Sequence, residues 1–112
     1  MLELGLILLV GLGAIATGVI VYKIVKVTIR KIKEYRIKKE SKVLLCNAEK
    51  IMETAPRISM EALAQLEENP NTMWMAEVSE TGSTIYQNDF AQDMEPVVEN
   101  LLRQNDGAIV LE

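Results

Sequence analysis

From residue 4 to residue 22 the chain reads LGLILLVGLGAIATGVIVY, nineteen positions without a charge. At about 1.5 Å per residue a helix of that length spans roughly 28 Å, the thickness of a bilayer's hydrocarbon core, so the pattern predicts a transmembrane helix. Gly11, Ala14 and Gly18 recur at i, i+3 and i+7 and share one face, the arrangement that lets helices pack closely in lipid. Over residues 23–35 the helical pattern continues but becomes two-sided. Ile24, Val25, Thr28, Ile29, Ile32 and Tyr35 fall on one side, and Lys23, Lys26, Arg30 and Lys33 on the other. Those four cations predict contact with an anionic lipid surface. By the positive-inside rule they place the N-terminus outside and the rest of the chain in the cytoplasm.

Residues 36–42, RIKKESK, read as a polar stalk. Leu44, Leu45, Ala48, Ile51, Met52 and Ala55 then recur at helical spacing, and Pro56 closes that second helix. Leu44, Leu45, Ala48, Ile51 and Met52 form its candidate partner-binding face. Ser59 has the chemistry of an N-cap for a helix over residues 60–68, which Asn69-Pro70-Asn71 stops. The period then changes. MWMAEV at 73–78 and TIYQ at 84–87 flank the turn Glu80-Thr81-Gly82-Ser83 and predict a hairpin. Asp89 is positioned to cap a helix with Phe90, Met94, Val97, Val98, Leu101 and Leu102 on one face, although Pro96 either kinks it or marks its first turn. Asn105-Asp106-Gly107 ends that helix, and AIVL at 108–111 predicts a last strand. The expected fold class is α+β. A transmembrane helix continues into a basic amphipathic helix, followed by a small α-α-β-β-α-β domain whose three-stranded sheet has one face covered. The corresponding divisions are an anchor over 1–22, a basic helix and stalk over 23–42, and a domain over 43–112.

Charge sharpens this division. The net charge of −4 is the sum of +6 over residues 1–42, with nine basic and three acidic residues, and −10 over residues 43–112, with three basic and thirteen acidic. An acidic domain would repel phosphates, which excludes nucleic acid as its partner. The chain has no histidine, which removes the commonest general base and metal ligand, and its one cysteine, Cys46, excludes an internal disulfide. Cys46 lies among apolar residues with no base to activate it and reads as a packing residue. The carboxylates do not form a calcium loop, and no phosphate-binding or nucleophile-elbow motif is present. No enzyme activity, cofactor or metal is expected.

Residues 75–89, MAEVSETGSTIYQND, resemble the strand–(D/E)xG–strand hairpin of PAS-, Cache- and Roadblock-type α/β modules. The resemblance covers fifteen residues and carries no functional residue with it, and the chain reads as too short for a full five-stranded sheet of that kind. The function these patterns support is a single-pass membrane-anchored protein acting through protein partners, a second copy of the chain among them, as an accessory subunit or adaptor. A sensor or regulatory module with a ligand pocket lined by Trp74, Tyr86 and Phe90 is the alternative. A membrane-active toxin or holin-like protein resting on the anchor alone is the third.

Overall fold

The computed structural model describes residues 19–55 and 58–112. Its centre is made by two apolar runs, VLLC at 43–46 and MWMAEV at 73–78, in which consecutive side chains are buried on both sides of the backbone. A strand covered on both faces has no polar face and loses the alternation that marks a half-exposed strand. These runs are β2 (Ser41–Asn47) and β3 (Met73–Ser79). The other strands are β1 (Tyr22–Val27), β4 (Ile85–Met94) and β5 (Ala108–Leu111). Together they form a five-stranded mixed sheet in the order β1-β4-β3-β2-β5. β1 runs parallel to β4, and every other neighbouring pair is antiparallel.

Helices cover both faces. On one face α2 (Ala48–Thr54) and α3 (Met60–Glu68) pack through Ala48, Ile51, Ala62 and Leu66 against Leu44, Cys46, Trp74, Ala76 and Val78. On the other α1 (Ile29–Tyr35) and α4 (Pro96–Gln104) pack through Ile32, Val98 and Leu102 against Val43, Leu45, Met73, Met75 and Ala91. Local chemistry sets the helix starts. Thr28 Oγ1 accepts the Lys31 N–H at 3.2 Å, Asn47 Oδ1 that of Lys50 at 2.9 Å, and Ser59 Oγ that of Ala62 at 3.1 Å. Pro96 opens α4 in its first turn, where its missing N–H costs nothing. Gly107 closes it at φ +89°, donating to the Leu102 carbonyl at 2.8 Å.

This architecture corrects the expected one. The sheet has five strands, not three, and both its faces are covered. Residues 23–35 do not continue a helix. YKIVKV is strand β1, rich in β-branched side chains and paired with β4, and the helix begins only at Ile29 behind the Thr28 cap. Leu44 and Leu45 belong to strand β2, and the helix they were expected to share begins after Asn47. Asp89, Phe90 and Met94 lie on β4, which runs on to Met94 before Pro96 starts α4.

The membrane placement is corrected as well. Among the described residues no helix is long and apolar enough to cross a membrane. The expected anchor over 1–22 overlaps the folded domain at its end. Ile20 is buried in the core, and its N–H donates to Gln65 Oε1 at 2.8 Å while its carbonyl accepts from Gln65 Nε2 at 3.2 Å. Tyr22 is a β1 residue whose hydroxyl meets Thr72 Oγ1 at 2.8 Å. The continuous anchor-to-amphipathic helix is therefore overturned, and with it the single-pass placement and outside-to-cytoplasm orientation built on it: the described end of the expected anchor, residues 19–22, is bound into the folded domain. Gly11, Ala14 and Gly18 lie outside the described residues.

Candidate functional site

A sheet with five strands in a row has two edges, and here they differ. The β1 edge carries Lys23 and Lys26, both exposed, and charged edge residues of this kind discourage further strand pairing. The β5 edge, AIVL, carries no charge and no proline. Its backbone phase follows from the ladder to β2. Asn47 N–H donates to the Gly107 carbonyl at 2.9 Å, and in the same register Leu45 lies opposite Ile109 and Val43 opposite Leu111. Antiparallel hydrogen-bonded pairs alternate, so Ile109 and Leu111 turn their peptide groups toward β2. Val110 turns its N–H and C=O outward, to the side where no described strand lies.

Grooves flank this edge. A cleft of about 360 Å³ has a floor of Ile29, Ile32, Val43, Leu101 and Leu111, with Lys33, Arg36 and Glu112 at its rim. Arg36 Nη2 donates to the Leu111 carbonyl at 3.3 Å, and Lys42 Nζ holds the Glu112 carboxylate at 2.9 Å. A shallower groove of about 290 Å³ runs along β5 itself, between Leu101, Asn105 and residues 108–111.

The rim is held by a buried carboxylate. Glu77 has no exposed surface although it sits on a central strand. Its Oε2 accepts from the Ile37 N–H at 2.9 Å, the Lys38 N–H at 2.8 Å and Ser41 Oγ at 2.6 Å. Its Oε1 accepts from Gln87 Nε2 at 2.9 Å, and the same amide donates to the Tyr35 carbonyl at 2.6 Å. One side chain thereby replaces the backbone partners that the connection from α1 to β2 lacks, and fixes the segment that begins at Arg36. Burial pushes this carboxyl up, but the hydrogen bonds from Ser41, Gln87, Ile37 and Lys38 outweigh it and hold the group at about 2. Beside it Tyr35 donates to Asp89 Oδ2 at 2.7 Å. Burial, the hydrogen bond to Asp89 and the charges of Asp89 and Glu77 all push the phenol above its ordinary value. Glu77 is saturated with partners inside the fold and serves as a structural support. Asp89 keeps partial exposure and lines a pocket with Lys23, Asn88 and Phe90.

The expected site residues are dispersed. Lys23 and Lys26 lie on β1, Arg30 and Lys33 on α1, so they do not form a single cationic stripe. Lys23 lies 3.9 Å from Asp89, Arg30 pairs with Glu34 at 3.0 Å, and Lys33 joins Arg36 at the cleft. Leu44, Leu45, Ala48 and Ile51 are buried, with Leu44 and Leu45 in opposite cores, so these four are packing residues; Met52 is half-buried and alone keeps appreciable exposure. Trp74 and Phe90 share a core cluster, whereas Tyr86 is exposed with Lys38 Nζ 5.5 Å above its ring, so the three line no common pocket. Among the described residues no three His, Cys, Asp or Glu side chains converge as a metal requires.

Cys46 is fully buried, and burial pushes its thiol up to about 12, with Lys50 opposing the shift and Glu53 adding to it. Iodoacetamide is therefore expected to leave Cys46 unmodified in the native protein and to label it fully in denaturant. Rapid stoichiometric labelling of the folded chain would contradict the burial described.

Val110, Leu101, Leu111, Arg36 and Glu77 were not among the expected site residues. A glutamate inside the apolar run MWMAEV was a visible signal of a buried polar anchor, while the edge status of β5 depends on strand order and has no local signature. Compared with protein-family models, with curated proteins and with solved structures, the chain gives no match.

Proposed function

We propose that the chain acts by protein–protein contact, as an adaptor or accessory subunit without catalysis of its own, and that β5 is its contact strand. The observation that carries this reading is the difference in charge between the two sheet edges: β1 bears exposed Lys23 and Lys26 beside the exposed Val25, whereas β5 is uncharged and lies beside a cleft with an apolar floor. An added strand would gain main-chain hydrogen bonds from Val110 and place an apolar side chain in the cleft beneath Arg36, the recognition mode of β-strand addition. The saturation of Glu77 and the burial of Cys46 fit this non-catalytic reading.

A photoreactive side chain introduced at position 110 of the chain in its native cells is expected to give a discrete protein adduct, and one at position 26 on the β1 edge to give none. Equal yields at both positions, or no adduct at 110, would overturn the reading.

A further inference from the structure

We infer that the occupant of the β5 edge is a second copy of this chain, paired antiparallel about a two-fold axis through Val110 so that two five-stranded sheets become one continuous sheet. The inference rests on the β5 reading above and goes further by naming the partner.

The backbone phase permits this register. An outward-facing residue must pair with an outward-facing residue, and a two-fold axis at Val110 sets Val110 opposite its own copy and residue 108 opposite residue 112. No like-charged side chains lie directly opposite each other in that register, because the strand itself is uncharged and Glu112 falls opposite Ala108; the diagonal carboxylates, Asp106 and Glu112, are each held by a lysine of their own copy. The same axis on the β1 edge would bring Lys23 and Lys26 of two copies together.

The charges at the two ends of β5 differ in balance. The turn before the strand carries Asp106, 95% exposed and 3.5 Å from Lys50 Nζ, whereas at the end of the strand Arg36, Lys33 and Lys42 surround a single carboxylate, Glu112. Antiparallel pairing runs the Asp106 turn of each copy past the Arg36 end of the other. The symmetry repeats that attraction twice. The axis also covers Leu101 and Leu111, the apolar residues common to both grooves.

The test is sedimentation equilibrium of the full chain over a wide concentration range, with residue-resolved amide exchange on the same samples. The expected result is a mass rising to twice 12.5 kDa, with protection of the Val110 amide appearing in step with the dimer. Val110→Lys is expected to raise the dimer dissociation constant by at least about tenfold, since it places two cations side by side at the axis. Its folding is checked by circular dichroism. Asp106→Asn is the second variant: the residue sits at φ +60°, which asparagine tolerates, so the change removes charge without straining the turn. It is expected to weaken the dimer a few-fold and to reduce its sensitivity to salt.

A monomer whose Val110 amide exchanges freely at all concentrations would overturn the second copy as occupant while leaving the edge open for a different protein. A dimer in which Val110 still exchanges freely would place the contact elsewhere and overturn the inference. A monomer with a protected Val110 amide would mean that the chain's own residues close the edge, which would sink both this inference and the reading on which it rests.

Discussion

Replacing Glu77 with alanine is expected to remove about 3–5 kcal/mol of folding stability, the range for losing a buried charged acceptor whose donors stay behind. The carboxylate has no contact with solvent, and alanine would strand the Ile37 and Lys38 amides and leave Ser41 Oγ and Gln87 Nε2 with only the Lys38 and Tyr35 carbonyls as acceptors. Glu77→Gln is expected to cost less, about 1–3 kcal/mol, because one amide oxygen still accepts from the loop while the new NH₂ faces the Gln87 donor. The effect has a pH signature. The group is held at about 2 in the fold against an ordinary value near 4.5, so the folded state binds its proton more weakly than the unfolded chain does. This stabilisation, on the order of 3 kcal/mol, is complete above about pH 5 and drains away as the pH falls from 4.5 through 2. Urea unfolding at neutral pH and near pH 3 measures both effects. A loss below about 1 kcal/mol in Glu77→Ala, or an equal acid sensitivity in wild type and variant, would show that the carboxylate does not hold the loop.

Trp74→Ala is expected to be comparably severe, at about 3–5 kcal/mol, because it empties the site of the largest fully buried side chain. Trp74 sits on central strand β3 between β2 and β4, in contact with the cluster formed by α2 and α3. Its indole N–H also reaches Asn88 Oδ1 at 3.3 Å. For a domain of this size a loss of that magnitude lowers the melting temperature by roughly 15–30 °C. Circular dichroism is the suitable measurement, since the chain has a single tryptophan and the variant loses its fluorescence. Trp74→Phe refills most of the space and is expected to recover more than half of the loss. A melting temperature within a few degrees of wild type for Trp74→Ala would mean that the core around it is not closed as described.

The two positions also show what can be read along a chain of this kind. Signals that act over a few residues were legible. Ser59 caps α3, the Gly82 turn joins the hairpin strands, Pro96 starts α4 and Gly107 ends it, each by chemistry confined to one turn. Signals that depend on distant partners were not. The β-branched side chains of YKIVKV favour a strand, but its apolar positions also fit a helix face, and pairing with β4 decides it. Burial on both faces removed the period-two pattern from VLLC, which then merged with AEKIM into an apparent helix face, although Asn47 lies at the boundary as an N-cap. The charge-free length of residues 4–22 satisfied the rule for a membrane span, but its last residues are bound into the domain through Gln65 and Thr72. The candidate site was the least legible part, because an edge is a property of strand order and the groove beside it draws residues from α1, β2, α4 and β5.

The parallel ladder between β1 and β4 also bears on the folding kinetics of the domain. Tyr22 pairs with Phe90, a separation of 90 − 22 = 68 residues, whereas β2 to β3 and β3 to β4 are joined by far shorter connections. Val43 and Leu111 of the β2–β5 ladder are equally far apart, 111 − 43 = 68. Closing so long a loop costs entropy before any contact repays it, so both outer strands are expected to join after the β2–β3–β4 sheet has formed. Two clasps then hold β1: Ile20 to Gln65 at one end, and at the other the Glu95 amide on the Val27 carbonyl, with the Glu95 carboxylate on the Ile29 amide. If these clasps open, the departure of β1 uncovers β4 as an unguarded edge, and the rate at which β1 returns sets the chain's exposure to mispairing.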